Sequence, residues 1–144
     1  MTLASAVSPR LIHIAAALLL NAQGQTLLVR KRGTTAFMQP GGKIEAQELP
    51  VHALARELEE ELGLAIDPAR AVFLGQFCAP AANEPGFVVH ADIFQLTIDA
   101  DVIPAAEIEE AIWVDPATDP ALELAPLTRE HILPFYRRSL TALA

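Results

Sequence analysis

The sequence has 144 residues, enough for one domain with a sizeable core, and we predict a single domain over residues 1–144. Its 52% hydrophobic and 19% charged residues exclude a disordered chain, and its net charge of −8 argues against a groove for a nucleic-acid polymer. The single cysteine, Cys78, excludes an internal disulfide and predicts a reducing, cytoplasmic compartment. We expect the Cys78 side chain to be a small buried apolar group.

The first part of the chain predicts a lead-in followed by a β-hairpin. We expect residues 1–9 to be a flexible lead-in. The apolar run at 11–20 is too short to span a bilayer, so we predict a buried strand and no membrane association. Turn-forming residues at 21–24 separate this run from a second one at 26–30, which is typical of a hairpin.

Three basic residues, Arg30, Lys31 and Arg32, end the second predicted strand and form the densest positive patch of an acidic chain. Arg30 and Arg32 are therefore candidate ligands for substrate phosphates. A solvated strand end explains these two equally well and explains Lys31 better. A short strand at 37–39 is expected to lead into a glycine loop at 40–42, where the backbone can approach a ligand closely.

A short acidic helix is predicted from Pro50, which suits a first helical turn, to Gly63, which suits the position just past the last turn. Because Leu49 replaces the usual capping residue, the first turn is expected to fray. The apolar residues recur at helical spacing and form the predicted buried stripe: Val51, Leu54, Ala55, Leu58 and Leu62.

Glu57, Glu60 and Glu61 share a second face of this helix because they lie at positions i, i+3 and i+4. Their mutual repulsion costs a few tenths of a kcal/mol for each exposed pair. A hard cation such as Mg²⁺ or Mn²⁺ would explain them, since it takes oxygen ligands. Taken alone, the spacing favours a solvated helix face.

The rest of the chain predicts further strands at 71–77, 87–97 and 112–114, a loop at 79–86 and a C-terminal helix at 126–140 kinked at Pro134. We expect the helix to bury Ile132, Leu133, Tyr136 and Leu140. His90 is expected to be a structural histidine with Asp92 as partner. This order of elements predicts an α/β or α+β domain with a mixed sheet between helices.

The helix and its glycine loop resemble the signature of the Nudix hydrolases, which are also called MutT-like. That signature is a Gly, five residues, a Glu, seven residues, Arg-Glu, an aliphatic residue, any residue, Glu-Glu, any residue, Gly and an aliphatic residue. All nine defined positions match over 23 residues: Gly42, Glu48, Arg56, Glu57, Leu58, Glu60, Glu61, Gly63 and Leu64. The resemblance implies a Nudix-type α/β/α sandwich around a mixed sheet.

The same resemblance implies a hydrolase that uses Mg²⁺ or Mn²⁺ to cleave the pyrophosphate of a nucleoside diphosphate linked to another moiety. Glu57, Glu60 and Glu61 would be metal ligands with a carbonyl of Gly41. One of these glutamates, or one outside the signature, would be the base. Arg56 would orient the carboxylates with Glu48 as its partner, and Glu48 has a minor alternative role as a ligand.

Outside the signature, the resemblance implies an additional acid from a later loop. Candidates are Glu107, Glu109 and Glu110, of which Glu110 has the position that relatives often use; for each singly, a solvated loop fits better.

The substrate stays open between ADP-ribose, oxidised nucleoside triphosphates, dinucleotides and other small nucleotides. Phe37, Phe87, Phe94 and Trp113 could stack on a base, although as a group they fit a core better. A homodimer is compatible with the sequence. The alternative function is a non-catalytic nucleotide-sensing Nudix module, which usually lacks some of the carboxylates.

Overall fold

The computed structural model describes residues 10–118 and 121–142; the expected lead-in at 1–9 lies outside these ranges. Its elements are β1 (Arg10–Leu20), β2 (Thr26–Lys31), β3 (Gly41–Lys43), α1 (Pro50–Leu62), β4 (Val72–Pro80), β5 (Phe87–Thr97), β6 (Ile108–Val114) and α2 (Leu133–Ala142). A 3₁₀ turn at Pro68–Arg70 precedes β4, and a π-helical turn at Thr128–Ile132 precedes α2. Within the described ranges, no helix is both long and apolar enough to cross a membrane.

The strands form one mixed sheet in the order β4-β5-β1-β2-β6, with β3 added beside β1. β1 pairs in parallel with β5 along its whole length, whereas the other pairings are antiparallel. β1 meets β2 only near the hairpin turn, at Leu20 and Thr26. Farther from the turn, the segment 38–43 lies between the two strands. Its Met38 forms a bridge with Val29 of β2, and its β3 portion pairs with β1.

Helices cover both faces of this sheet because residues of β1 alternate between two apolar cores. Ala15, Ala17 and Leu19 pack in the core that contains Leu54, Leu58 and Leu62 of α1. Ala16, Leu18 and Leu20 pack in the core that contains Ile132 and Tyr136. The predicted α/β/α sandwich with a mixed sheet is therefore confirmed.

Helix α1 has the predicted bounds and ends. It begins at Pro50 without a side-chain cap from Leu49, and it ends at Gly63 with a φ of 67°. The Gly63 N–H donates to the Glu59 carbonyl at 3.1 Å, and the Leu64 N–H donates to the Leu58 carbonyl at 3.2 Å, so the left-handed glycine lets the chain satisfy two carbonyls of the last turns. Its buried leucines each contribute about 1.5–3 kcal/mol of apolar burial, while Val51 and Ala55 are half-buried and Ala53 is fully buried.

The glycine segment differs from the prediction because it is a strand, not a loop. Residues 37–39 make only isolated bridges at Phe37 and Met38, whereas Gly41–Lys43 pair with β1. Gly41 has a φ of 150°, and an added Cβ there would overlap the Ala15 carbonyl oxygen and Ala16. Gly41 therefore allows β3 to lie against the central strand.

Three further expectations differ in the outer elements. Cys78 is exposed because β4, which runs on to Pro80, lies at the end of the sheet order. Leu140 is exposed because the π-helical turn before Pro134 changes the helical phase of the residues that follow. The side chain of Asp92 accepts hydrogen bonds from Gln76 and contacts His13 rather than His90.

Candidate active site

Arg56 connects the two ends of the signature through hydrogen bonds to carboxylates. Its Nε and one terminal nitrogen donate to the two oxygens of Glu48, each at 2.8 Å, and its other terminal nitrogen donates to Glu57 at 2.8 Å. It also donates to the Lys43 carbonyl of β3 at 3.1 Å. The Arg56 hydrogen bonds lower the pKa of Glu48 to about 2. The Arg56–Glu48 contact is the predicted one. The contacts of Arg56 with Glu57 and with the Lys43 carbonyl hold Glu57 relative to β3.

Glu57 lies directly over Gly42 of β3. A Cβ added at Gly42 would overlap the Glu57 carboxylate and its Cγ, so only glycine leaves room for this side chain. The Glu57 side chain is 15% exposed and is held by Arg56 on one oxygen. The glycine of the signature thus provides the space in which its first helical glutamate sits.

Glu61 is the most buried acid of the site, at 3% exposure, and its Oε1 has no hydrogen-bond partner. Burial raises the pKa of its carboxyl to about 8, with a further contribution from the negative charge of Glu57. Lys31 and a hydrogen bond from the Gly41 backbone oppose this rise. A buried carboxyl oxygen without a donor is costly unless a ligand satisfies it.

A cleft of about 530 Å³ brings part of the predicted site together. Of the predicted residues, Gly41, Glu57, Glu61 and Arg32 line it, and Arg56 and Glu48 lie behind Glu57. Glu60 does not line the cleft; its side chain is 55% exposed and lies 3.8 Å from the Arg56 guanidinium.

The basic patch divides between the two faces of β2. Arg30 donates to Glu110 at 3.1 and 3.2 Å and lies over the Phe37 ring at 5.9 Å, so neither Arg30 nor Glu110 lines the cleft. Lys31 and Arg32 do line it. Lys31 rather than the favoured Arg30 reaches the cleft because adjacent residues of β2 point to opposite faces, and Arg32 follows the end of that strand.

Among the three acids suggested from the later loop, Glu107 is the one that lines the cleft. Its carboxylate lies 3.5 Å from the Lys31 ammonium. Arg32 holds the same turn by donating to the Ala106 carbonyl at 3.1 Å. Glu109 pairs with Arg32 at 3.7 Å but does not itself line the cleft. Glu107 rather than Glu110 is therefore placed beside Glu57 and Glu61.

Gln39 was not among the residues predicted for the site, yet it lines the same cleft and is only 5% exposed. Its Oε1 accepts a hydrogen bond from the Thr128 hydroxyl at 2.7 Å, whereas its Nε2 has no partner. The one local signal was a polar residue inside an otherwise apolar approach to Pro40. Its pairing with Thr128 spans 89 residues, so it could not be read from the sequence.

The aromatic candidates lie elsewhere. Phe37 and Phe94 are buried in the core, Trp113 packs against the core under α1, and Phe87 lies beneath Arg10. None of these four is among the cleft-lining residues. A larger depression of about 800 Å³ beside the C-terminal end of α1 contains none of the predicted site residues.

The cleft can be tested for a divalent cation by its donor atoms. Among the described residues, no three His, Cys, Asp or Glu side chains are grouped closely enough to bind one ion. The groups that line the cleft nevertheless fit a hard cation, since they are the Glu57 and Glu61 carboxylates and the backbone of Gly41. The unpartnered Oε1 of Glu61 is an acceptor that such an ion would satisfy.

Comparison with known proteins is consistent with this geometry. A family model described as NUDIX domain matches residues 10–135. A MutT protein from Methanosarcina mazei Go1 superposes with a TM-score of 0.76 at 25% identity, covering 94% of this chain and 99% of that one. A MutT NUDIX hydrolase from Burkholderia pseudomallei gives a TM-score of 0.70 at 21% identity, covering 90% and 97%.

Curated relatives match over shorter stretches. Phosphatase NudJ of Escherichia coli is 37% identical over 70 residues, which are 47% of this chain and 46% of NudJ. An RNA pyrophosphohydrolase of Alkalilimnicola ehrlichii is 54% identical over 48 residues, which are 33% of this chain and 26% of that protein. An octanoyltransferase of Myxococcus xanthus is 41% identical over 112 residues, which are 72% and 29%. The chain thus spans less than half the length of each of these three relatives.

Proposed function

This chain belongs to the Nudix family, and we propose that it is a divalent-metal-dependent hydrolase of the pyrophosphate bond in a small nucleotide or nucleotide derivative. The observation that carries the proposal is Glu61, a buried carboxyl with an unpartnered oxygen in a cleft it shares with Glu57 and Gly41. A structural helix has no use for such a group, because an unsatisfied buried acceptor lowers stability.

Mg²⁺ or Mn²⁺ would be held by Glu57, Glu60 and Glu61 together with the Gly41 backbone. When bound, a divalent ion would screen the phosphate charge and lower the pKa of water. Because Glu60 points to solvent beside Arg56, its participation requires a change of side-chain rotamer. Hydrolases of the Nudix family generally use such ions, and the oxygen-only donor set supports the same requirement here.

The remaining residues have supporting roles. Arg56 positions Glu57 and holds Glu48 against the start of α1 through charge-assisted hydrogen bonds. Lys31 and Arg32 provide positive charge in the cleft for substrate phosphates. Glu57, Glu61 and Glu107 share the cleft, which supports each of them as the group that would accept a proton from water. Arg30 and Glu110, which pair on the other face, are assigned no contact with substrate.

The substrate is proposed to be a small nucleotide rather than a polymer, because the net charge of −8 repels a polyanion that makes many phosphate contacts. Relatives and structural neighbours are named for phosphatase, RNA pyrophosphohydrolase and UDP-X diphosphatase activity. These names share the cleavage of a phosphate linkage. A cytoplasmic location and a homodimer remain predictions.

A panel of nucleotides with Mg²⁺, Mn²⁺ or EDTA tests the proposal. It should contain ADP-ribose, diadenosine polyphosphates, nucleotide sugars, and normal and oxidised triphosphates, with release of phosphate or nucleoside monophosphate as the readout. We expect selective cleavage that EDTA abolishes and that Glu61→Gln lowers by orders of magnitude. Tight binding of one compound without cleavage would instead identify a nucleotide-sensing module, and cleavage unaffected by EDTA would contradict the metal requirement.

A further inference from the structure

Gln39 presents a hydrogen-bond donor that the protein itself does not use. The side chain is 5% exposed and lines the cleft, and its Nε2 has no partner. Leaving a buried amide unpaired costs about 1–3 kcal/mol. A leucine or methionine at this position would avoid that cost, so the amide is explained by a ligand that accepts its hydrogen bond.

Thr128 determines which end of the amide faces the cleft. Its buried hydroxyl, at the start of the π-helical turn, donates to Gln39 Oε1 at 2.7 Å. This hydrogen bond holds Oε1 toward Thr128, so the opposite end of the amide, which carries the two N–H groups without a partner, is the one left for a ligand. In this orientation Gln39 offers a ligand its N–H groups, because Oε1 is directed to Thr128.

The surroundings of Gln39 suit an uncharged and flat part of the substrate. Ile12, Ile14 and Val89 line the cleft with it, and Ile14 and Val89 pack against the same core as Ile132 on the α2 side of the sheet. The acids Glu57 and Glu61 belong to α1, on the other side. A nucleobase would bury its faces against these three apolar side chains, and Lys43, which pairs with Ile14 and lines the same cleft, is the cation on this side for an attached phosphate.

We propose that Gln39, held by Thr128, selects a nucleobase with an oxo group over one with an amino group at the same position; this inference rests on the proposed function. An oxo group, as in hypoxanthine, guanine or uracil, accepts the Nε2 hydrogen bond. The exocyclic amino group of adenine or cytosine places a donor against a donor and leaves both buried groups unpaired. Gln39 is thus a specificity residue of the cleft, not part of the hydrolytic chemistry.

Matched pairs of substrates test the inference, namely ITP against ATP and UTP against CTP, which differ chiefly at one oxo or amino position. We expect kcat/KM of the wild-type protein to favour the oxo member of at least one pair by about 10- to 100-fold. Gln39→Leu should reduce that preference to within about threefold. Gln39→Glu, which offers an acceptor when ionised, should favour the amino member.

Two further variants separate the effect from general damage. Thr128→Val removes the hydroxyl and lets the amide turn, so it should weaken the preference while Gln39 remains. Gln95→Leu makes the same chemical change on β5, outside the cleft, and should keep the wild-type preference. The double variant Gln39→Leu with Thr128→Val should melt no lower than wild type, because both polar partners are replaced together.

Binding of the product monophosphates provides a readout that does not need turnover. Calorimetric titration with IMP, AMP, UMP and CMP should show the oxo preference in the wild type and its loss in Gln39→Leu. That result would support the inference even if no substrate were cleaved. The inference would be overturned if the active wild-type enzyme showed no preference for the oxo base, or if Gln39→Leu kept that preference. Either result would leave the proposed hydrolase function intact.

Discussion

Glu61 shows how one side chain can be unfavourable for folding and suited to a ligand. Its side chain is as buried as the apolar residues of α1 although it carries a carboxyl group. No donor forms a hydrogen bond with its Oε1. Burial and Glu57 raise the pKa of this carboxyl to about 8 from 4.5. A positive ion in the cleft would reverse both effects, because it supplies the missing partner and favours the charged form.

The raised pKa of Glu61 predicts how the metal-free protein responds to pH. Between the unfolded pKa of 4.5 and the folded pKa of about 8, the folded state keeps a proton that the unfolded chain has released, so stability falls as pH rises through this range. In EDTA, Glu61→Gln should therefore melt close to wild type near about pH 5 and be more stable by about 2–5 kcal/mol near about pH 9. Denaturant unfolding at both pH values measures the stability difference between Glu61→Gln and wild type. The same difference at both pH values would refute the raised pKa of Glu61.

The hydrogen bonds of Arg56 to two carboxylates predict that even the conservative substitution Arg56→Lys lowers function. Lysine cannot donate to both oxygens of Glu48 and also to Glu57, so Arg56→Lys should lower turnover or metal affinity by about 10- to 100-fold. The matched control is Glu45→Gln, which alters an exposed partner 3.7 Å from Arg56 and should have little effect. If Arg56→Lys were as active as wild type, Arg56 would have no positioning role.

At the scale of elements, the site depends on the contact between α1 and β3. The helix supplies the carboxylates, Gly42 of β3 leaves room for Glu57, and Gly41 lets β3 lie against β1. The ends of α1 are unequal: the C-terminal end is closed by Gly63, while the N-terminal end lacks a side-chain cap. Each of these contacts can be altered separately.

The two glycines should respond differently to alanine. Gly42→Ala places its Cβ against the mobile end of Glu57, so we expect a small loss of stability but a large loss of activity as the carboxylate is displaced. Gly41→Ala meets backbone atoms of β1 at a φ of 150°, so we expect it to impair folding. Thermal melting and turnover of both variants check this, and retention of full activity by Gly42→Ala would show that the position of Glu57 is unimportant.

The uncapped start of α1 offers a stabilising substitution. Leu49 is 60% exposed and already has extended φ and ψ of −71° and 145°, which suit a cap. Leu49→Ser should stabilise the protein by about 1 kcal/mol relative to Leu49→Ala, because the hydroxyl can accept from the Val51 N–H; Pro50 has no N–H, and the His52 N–H already donates to the Leu49 carbonyl. Equal melting temperatures for the two variants would mean that this end of the helix does not limit stability.

At the scale of the whole molecule, the sequence predicted what depends on local spacing. The bounds of α1, the hairpin, the bounds of β5 and the covering of both sheet faces follow from periodicity and turn residues. The resemblance to a family added the α/β/α architecture. The strand at Gly41–Lys43 was missed because three residues, two of them glycine, carry no strand pattern and pair only through contacts with β1.

Contacts between distant segments were the part that local patterns could not provide. The sequence favoured Arg30 over Lys31 and Glu110 over Glu107, and the register of β2 with β6 places the alternative residues in the cleft. Gln39 became a candidate only through its hydrogen bond with Thr128 and its unpaired Nε2, both of which depend on the fold. Residue type and spacing therefore predicted the glutamates of α1 that line the cleft, Glu57 and Glu61, better than the lining residues from other segments.

Manganese binding tests the central claim, that the acidic face of α1 holds a divalent ion beside β3. Titration followed by electron paramagnetic resonance should compare wild type with Glu57→Gln, Glu60→Gln, Glu61→Gln and the matched control Glu59→Gln, which is exposed on the same helix. We predict that each of the first three weakens Mn²⁺ binding by at least about tenfold and that Glu59→Gln leaves it unchanged. Equal affinity for Mn²⁺ in all five proteins would contradict the claim.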